Sequence, residues 1–183
     1  MNISHLPLLI YRWRVRAGFF GIVLSIFLAQ PTVISLLIGS SVCAVGLGIR
    51  TWASGHLKKE RELAVSGPYR YTRNPLYFAN LLLGISVAIG ARSCWVLGIF
   101  LLYFLLFYPV IIFREKTRMK QFFPQKYEEF GKKVPLFFPT CFPSLPRSSV
   151  RFSWTLHKKN KESRALFGAL LFWSLLVLKY VIF

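Results

Sequence analysis

Hydrophobic residues fall in five long runs along this chain, separated by gaps that are polar and mostly short. The first run, residues 17–29, follows Arg12, Arg14 and Arg16 and stops at Gln30-Pro31. The second, residues 32–54, begins at once. Together they predict a helical hairpin rather than a cleaved leader, because no small-x-small site closes the first run. Residues 75–90 and 94–113 form another pair, parted only by Ala91-Arg92-Ser93, so they return antiparallel. The last run, residues 165–183, is just long enough to span a bilayer. Within the second run Ser40, Ala44 and Gly48 recur at every fourth position, which predicts a face for close helix packing. Pro109, late in the fourth run, predicts a kink and a carbonyl left for another group to satisfy. The expected fold class is all-α: a polytopic membrane bundle of about five transmembrane helices, one domain over residues 1–183, with cytoplasmic amphipathic helices.

Two longer polar stretches interrupt the runs, residues 55–74 and 114–162. In the second, Met119, Phe123, Tyr127, Phe130 and Val134 recur at helical spacing and share one apolar face. Pro124 divides that face, which predicts two short amphipathic helices on the membrane surface, the second ending near Gly131 with Lys132 and Lys133 against its dipole. Prolines at 135, 139, 143 and 146 make residues 135–160 irregular, with Phe137, Phe138, Phe142, Phe152 and Trp154 at headgroup level. In the first stretch, Asn74 and Pro75 predict a helix start: Asn74 as N-cap, its side chain accepting from free backbone N–H groups, and Pro75 at the first helical position.

Charge orients the bundle. With 55% hydrophobic residues and a net charge of +18, the chain does not suit a soluble globule. Placing the N-terminus in the cytoplasm leaves all but Arg92 and Lys179 of the 24 basic residues, and all six acidic ones, on the cytoplasmic side. The positive charge therefore reads as topology and contact with membrane lipids, and no nucleic-acid reader motif accompanies it. Both polar stretches fall on one face and can meet.

Several chemistries lack their residues. Cys43, Cys94 and Cys141 show neither a disulfide framework nor zinc spacing and read as small buried hydrophobes, and no metal site is expected. Gly46-x-Gly48 follows no strand and lacks a third glycine, so it reads as packing rather than a phosphate cradle. His56 has no neighbour in sequence to orient it, and neither a Ser-His-Asp set nor paired carboxylates can be assembled. What remains is a group transfer whose reactivity comes with a cosubstrate. Glu115, directly after the fourth run, is costly there unless paired or functional, with Arg114, Arg118, Arg70 and Arg73 as candidate partners.

Gly67-Pro68-Tyr69-x-Tyr71-x-Arg73-x-Pro75-x-Tyr77, followed by Glu115-x-x-x-Met119-x-x-x-Phe123-x-x-x-Tyr127-x-x-Phe130-x-x-x-Val134-Pro135, resembles the isoprenylcysteine carboxyl methyltransferase and phospholipid methyltransferase superfamily of membrane enzymes. The likeness runs over residues 46–139. The lead-in Asn160-Lys161-Glu162-x-Arg164-Ala165-Leu166-x-Gly168 is similar to bacterial members and implies an inner-membrane location. The resemblance implies an S-adenosylmethionine site with Tyr71, Arg73, Asn74, Pro75, Tyr77 and Glu115 as cofactor-binding residues and Arg114 and Glu115 in catalysis. Two positions depart from the pattern: Asn74 stands where many members have His, and Lys116 replaces a second acid. The acceptor expected is a lipid or other lipophilic molecule, a carboxylate by preference because it needs no base to attack a methyl group. Two alternatives stay open: a nicotinamide-dependent reductase of the sterol and steroid type, whose Arg-x-Pro-x-Tyr turn is similar, and a non-enzymatic basic protein that binds anionic lipid.

Overall fold

A computed structural model describes residues 6–58 and 61–183, with side chains from Arg12 onward; His5, Lys59 and Glu60 lie outside the described residues. Among those described, the elements are α1 (Leu6–Leu28), α2 (Val33–Ser54), a 3₁₀ turn (Gly67–Arg70), α3 (Pro75–Ala91), α4 (Cys94–Phe122), α5 (Pro124–Lys133), α6 (Trp154–Lys159) and α7 (Ser163–Ile182), with no strand. By length and composition α2, α4 and α7 can each cross a membrane, and α3 is a shorter apolar helix of 17 residues. The molecule is a helical membrane bundle, as the runs predict.

One end of the bundle gathers both tight turns. Thr32 and Ser35 cap the start of α2 reciprocally: the Thr32 side chain accepts from the Ser35 N–H, and the Ser35 side chain accepts from the Thr32 N–H. The Gln30 N–H donates to the Ala91 carbonyl at 2.8 Å, tying one turn to the other. Lys179 Nζ donates to the carbonyls of Ile26 and Phe27, both at 2.8 Å, satisfying acceptors that the end of α1 leaves open. Arg92 adopts a left-handed conformation, φ 48°, to close α3. The two basic residues assigned to the far side thus lie at the same end of the bundle, beside a core that includes Ala29, Ala88, Val96, Phe172 and Leu176.

The packing face of α2 corrects the expectation. Ser40, Ala44 and Gly48 are exposed, whereas Ser35, Gly39, Cys43 and Gly46 are buried against α3. A Cβ added at Gly39 would lie 2.8 Å from the Gly90 nitrogen and 2.9 Å from the Ser86 oxygen; one at Gly48 would meet nothing. Two stripes of small residues run along α2, and periodicity alone does not say which one meets a neighbour. Gly39→Leu is therefore expected to lower stability by at least about 1–3 kcal/mol, the usual cost of overpacking, while Gly48→Leu changes it by less than about 0.5 kcal/mol. Thermal unfolding in detergent measures both. Gly46 packs on Ala79 and Leu83, as a packing glycine should. Cys43 is buried, but Cys94 and Cys141 are exposed and do not fit the buried reading.

The end of α4 brings a second correction. The helix passes through Pro109 and continues through Arg114 to Phe122, 29 residues in all, because helix formers with no Gly or Pro fill the chain up to Pro124. The first of the two expected surface helices is thus an extension of α4. Only α5 is separate, and its apolar face is covered by protein: Tyr127, Phe130 and Val134 pack with Ala53 and Tyr69 in a second core, flanked by Met119 and Phe123. Residues 135–160 are irregular as expected except for α6, which Ser153 caps by accepting from the Leu156 N–H.

Candidate functional site

The site begins at a backbone feature that only glycine suits. Gly67 has φ +57°, and a Cβ there would lie 2.5 Å from the His56 ring. His56 Nδ1 lies 2.9 Å from Ser66 Oγ, and the residue is 8% exposed, with Phe152 edge-on to its ring. Burial holds its pKa below the ordinary value near 6.5. The folded chain thus prefers the neutral ring, and its contribution is complete above about pH 6.5 and declines as pH falls from there toward the folded pKa. Unfolding followed from pH 8 to pH 5 should show that loss, and His56→Gln should flatten it.

From Arg70 to Asn74 the chain is held by a strap, residues 135–145. Arg73 N–H donates to the Pro135 carbonyl (2.9 Å), Asn74 Nδ2 to Leu136 (2.8 Å) and Thr72 Oγ1 to Phe137 (2.7 Å). Ser144 N–H donates to the Arg70 carbonyl, and Arg70 Nε donates to the Leu145 carbonyl, each at 2.8 Å. Asn74 does precede α3, but its side chain makes no capping bond. The Leu136 carbonyl has claimed it, so its work is to fasten the strap. Phe137 seats the strap between Phe78 of α3 and Phe104 of α4.

This arrangement brings the two distant motifs together. Arg73, Asn74, Pro75 and Tyr77 share one cavity of about 310 Å³ with Glu115, Arg118, Tyr127 and Phe130. The Arg73 guanidinium lies over the Tyr127 ring, 5.6 Å from its centroid, and its Nη1 would be 3.0 Å from a Cβ at Gly131. Among the described residues its Nε is buried without a hydrogen-bond partner, which costs about 1–3 kcal/mol unless a ligand supplies one. Burial pushes the Tyr127 phenol up; Arg73 opposes that shift and Glu115 adds to it, which places acid and arginine in one electrostatic neighbourhood.

Two other expected residues stand outside this cavity. Arg114 lines an adjoining chamber of about 680 Å³, with Arg14, and that chamber shares Tyr77, Glu115 and Arg118 with the first. Tyr71 packs on Trp52 at 6.1 Å and is not part of either wall. Lys116, where the resemblance implies a second acid, lies over the Phe113 ring at 5.8 Å and does not line the cavity.

Sequence reasoning missed one constellation. Arg50 of α2 donates through Nε and Nη2 to Glu162 Oε2, at 2.9 and 2.7 Å, and through Nη1 to Asn80 Oδ1. The signal was present, since a lone arginine in an apolar run needs a partner. Among the described residues no group of three or more His, Cys, Asp or Glu side chains could hold a metal ion.

The decisive comparison concerns the segment that builds the cavity. The phospholipid methyltransferase family matches residues 24–126, from the end of α1 to the start of α5. The chain belongs to this family. Within it, the chain is 33% identical over 131 residues to the cobalt-zinc-cadmium resistance protein CzcN of Cupriavidus metallidurans, covering 70% of this chain and 57% of that one. It is 30% identical over 105 residues to the nickel-cobalt-cadmium resistance protein NccN of Alcaligenes xylosoxydans xylosoxydans, covering 56% and 47%. The chain thus spans about half the length of these curated relatives. No solved structure matches it. The phospholipid methyltransferase match takes in Arg73, Asn74, Pro75, Tyr77 and Glu115, while Tyr127, Phe130, the strap and α7 lie beyond it.

Proposed function

We propose that this chain is an S-adenosylmethionine-dependent methyltransferase acting on a lipophilic acceptor, a carboxylate by preference. The observation that carries the reading is the buried, unpartnered Arg73 Nε in a cavity whose opposite sequence segment contributes Glu115. The donor set fits the cofactor: a guanidinium for a carboxylate, an acid for an ammonium or ribose hydroxyls, and Tyr127, Phe130 and Leu57 for an aromatic base. When bound, that cofactor supplies a sulfonium methyl group whose C–S bond breaks as the acceptor's bond to carbon forms, turning a carboxylate into a neutral ester and the sulfonium into a thioether. Arg73 and Glu115 would fix its position, and Tyr77 and Arg118, which face both chambers, would align an acceptor with it. Among the described residues no histidine lines either chamber to act as base, which favours an acceptor that is already a nucleophile.

Both chambers lie at the end of the bundle opposite Arg92 and Lys179, so the charge rule puts the site and the N-terminus in the cytoplasm, and the bacterial relatives favour an inner membrane. Esterifying a carboxylate also removes a metal-ligating charge, which suits relatives named for resistance to cobalt, zinc, nickel and cadmium. Membranes containing the chain, incubated with methyl-labelled S-adenosylmethionine, are expected to place label in a lipid extract and release it as methanol in mild base. Label in neither lipid nor protein, with a reduced nicotinamide bound instead, would favour the reductase.

A further inference from the structure

A third cavity, of about 390 Å³, lies in the apolar part of the bundle between α1, α2, α3, α4 and α7. Small residues on facing helices make the space: Ala17, Gly18 and Gly21 of α1 and Ala165, Gly168 and Ala169 of α7. An apolar cavity of about 150 Å³ holds benzene, so at that density this one holds roughly fifteen carbons, enough for one lipid tail and too few for two. Arg50, Asn80, Tyr103 and Tyr108, with Ser25 and Ser86, form its polar lining. Glu162 already offsets the Arg50 charge, so an anionic head gains little by stopping there.

The way onward is short. Tyr103 Oη donates to the Arg14 carbonyl at 3.2 Å, and Tyr108 meets Tyr77 edge-on at 5.9 Å between centroids. Arg14 precedes Gly18 by about one helical turn, roughly 6 Å along α1. Beyond these rings is the 680 Å³ chamber, where among the described residues Arg14, Arg114 and Arg118 stand with one acid, Glu115. The rings of Tyr103, Tyr108 and Tyr77 thus part an apolar cavity in the bundle from a cationic chamber that adjoins the cofactor cavity.

We propose that a single-chain amphiphile with an anionic head threads between these rings, its tail in the 390 Å³ cavity and its head against Arg14 and Arg114. The inference rests on the methyltransferase reading, since it makes this amphiphile the methyl acceptor. Gly168 and Arg14 then set specificity: Gly168 limits tail length, and Arg14 selects an anionic head. A Cβ at Gly168 would meet nothing within 4 Å, so a larger side chain can enter the cavity without displacing a neighbour.

The test uses the full chain in bilayer discs of zwitterionic lipid and hexadecanoic acid carrying a photoactivatable group at its tail end. Label is expected on the cavity-lining Gly21, Ile22, Ser25, Ala169 and Phe172, displaced by unlabelled hexadecanoic acid but not by a two-chain phospholipid. Gly168→Phe should abolish labelling by this probe and spare that by a ten-carbon analogue. Arg14→Gln should weaken capture of the acid by about tenfold, the loss of one charge-assisted hydrogen bond, and leave the matching alcohol unaffected. Undisplaceable label spread over the outward-facing Phe19, Phe20 and Phe27, displacement by the two-chain lipid, or the same capture of both chain lengths by Gly168→Phe would overturn the proposal. Calorimetry with S-adenosylmethionine on the same samples separates the claims: donor binding without tail capture sinks only this one, and tail capture without donor binding sinks the enzymatic reading.

Discussion

Arg73→Ala and Glu115→Ala are each expected to weaken S-adenosylmethionine binding by about 3 kcal/mol, roughly a hundredfold, while leaving the bundle inserted in the membrane. The magnitude follows from where the charges sit. Arg73 is held by its own backbone bond to Pro135 and by the Tyr127 ring, so the guanidinium waits in place with a buried Nε open. Little ordering remains to be done on binding, and removing the group forfeits nearly the whole interaction. Arg73→Lys keeps the charge but not the planar fork, and should fall between the two. Lys116→Glu, outside the cavity, should change affinity little. Calorimetry on each variant decides, and affinities equal to that of the unaltered chain for both alanine variants would refute the assignments.

The largest stability effect is expected at Glu162. Its side chain is 10% exposed and that of Arg50 17%, and the pair joins α2 to the start of α7. Glu162→Ala leaves a nearly buried guanidinium with only Asn80, a change that costs about 3–5 kcal/mol in comparable settings. The double replacement Arg50→Met with Glu162→Leu should recover most of that loss, because it removes the charge along with its partner. Breaking the exposed pair Lys58–Glu62, at 39% and 62% exposure, should by contrast cost no more than about 1 kcal/mol. Equal shifts in unfolding temperature for Glu162→Ala and Glu62→Ala would show that the Arg50 site is as solvated as the surface.

The parts of the fold legible in sequence are those written in side-chain pattern. Apolar runs located the helices, and charge in the gaps placed residues 55–74 and 114–162 at one end, where Arg73 and Glu115 share a wall. Less legible were choices between equivalent patterns: α2 carries two stripes of small residues, and only the position of α3 selects Gly39 over Gly48. The strap was hidden for a different reason. It holds Thr72, Arg73 and Asn74 through the carbonyls of residues 135–137, groups that every residue possesses, so nothing in the side chains announces the pairing. Asn74 shows the consequence, because a residue suited to capping a helix was drawn to a carbonyl 62 residues away. The Arg50–Asn80–Glu162 set went unread since its members come from two apolar runs and the polar stretch before the last run, and a buried ion pair is visible only once both partners are placed.

The central claim is that the turn before α3 and the extension of α4 enclose one binding site for a methyl donor. Ultraviolet cross-linking of radiolabelled S-adenosylmethionine to the full chain, followed by peptide mapping, tests it most directly. Label is expected in peptides from residues 73–77 and 115–130 alike, and should disappear when S-adenosylhomocysteine is present in excess. Label confined to other helices, or label displaced by a reduced nicotinamide and not by the homocysteine analogue, would contradict it.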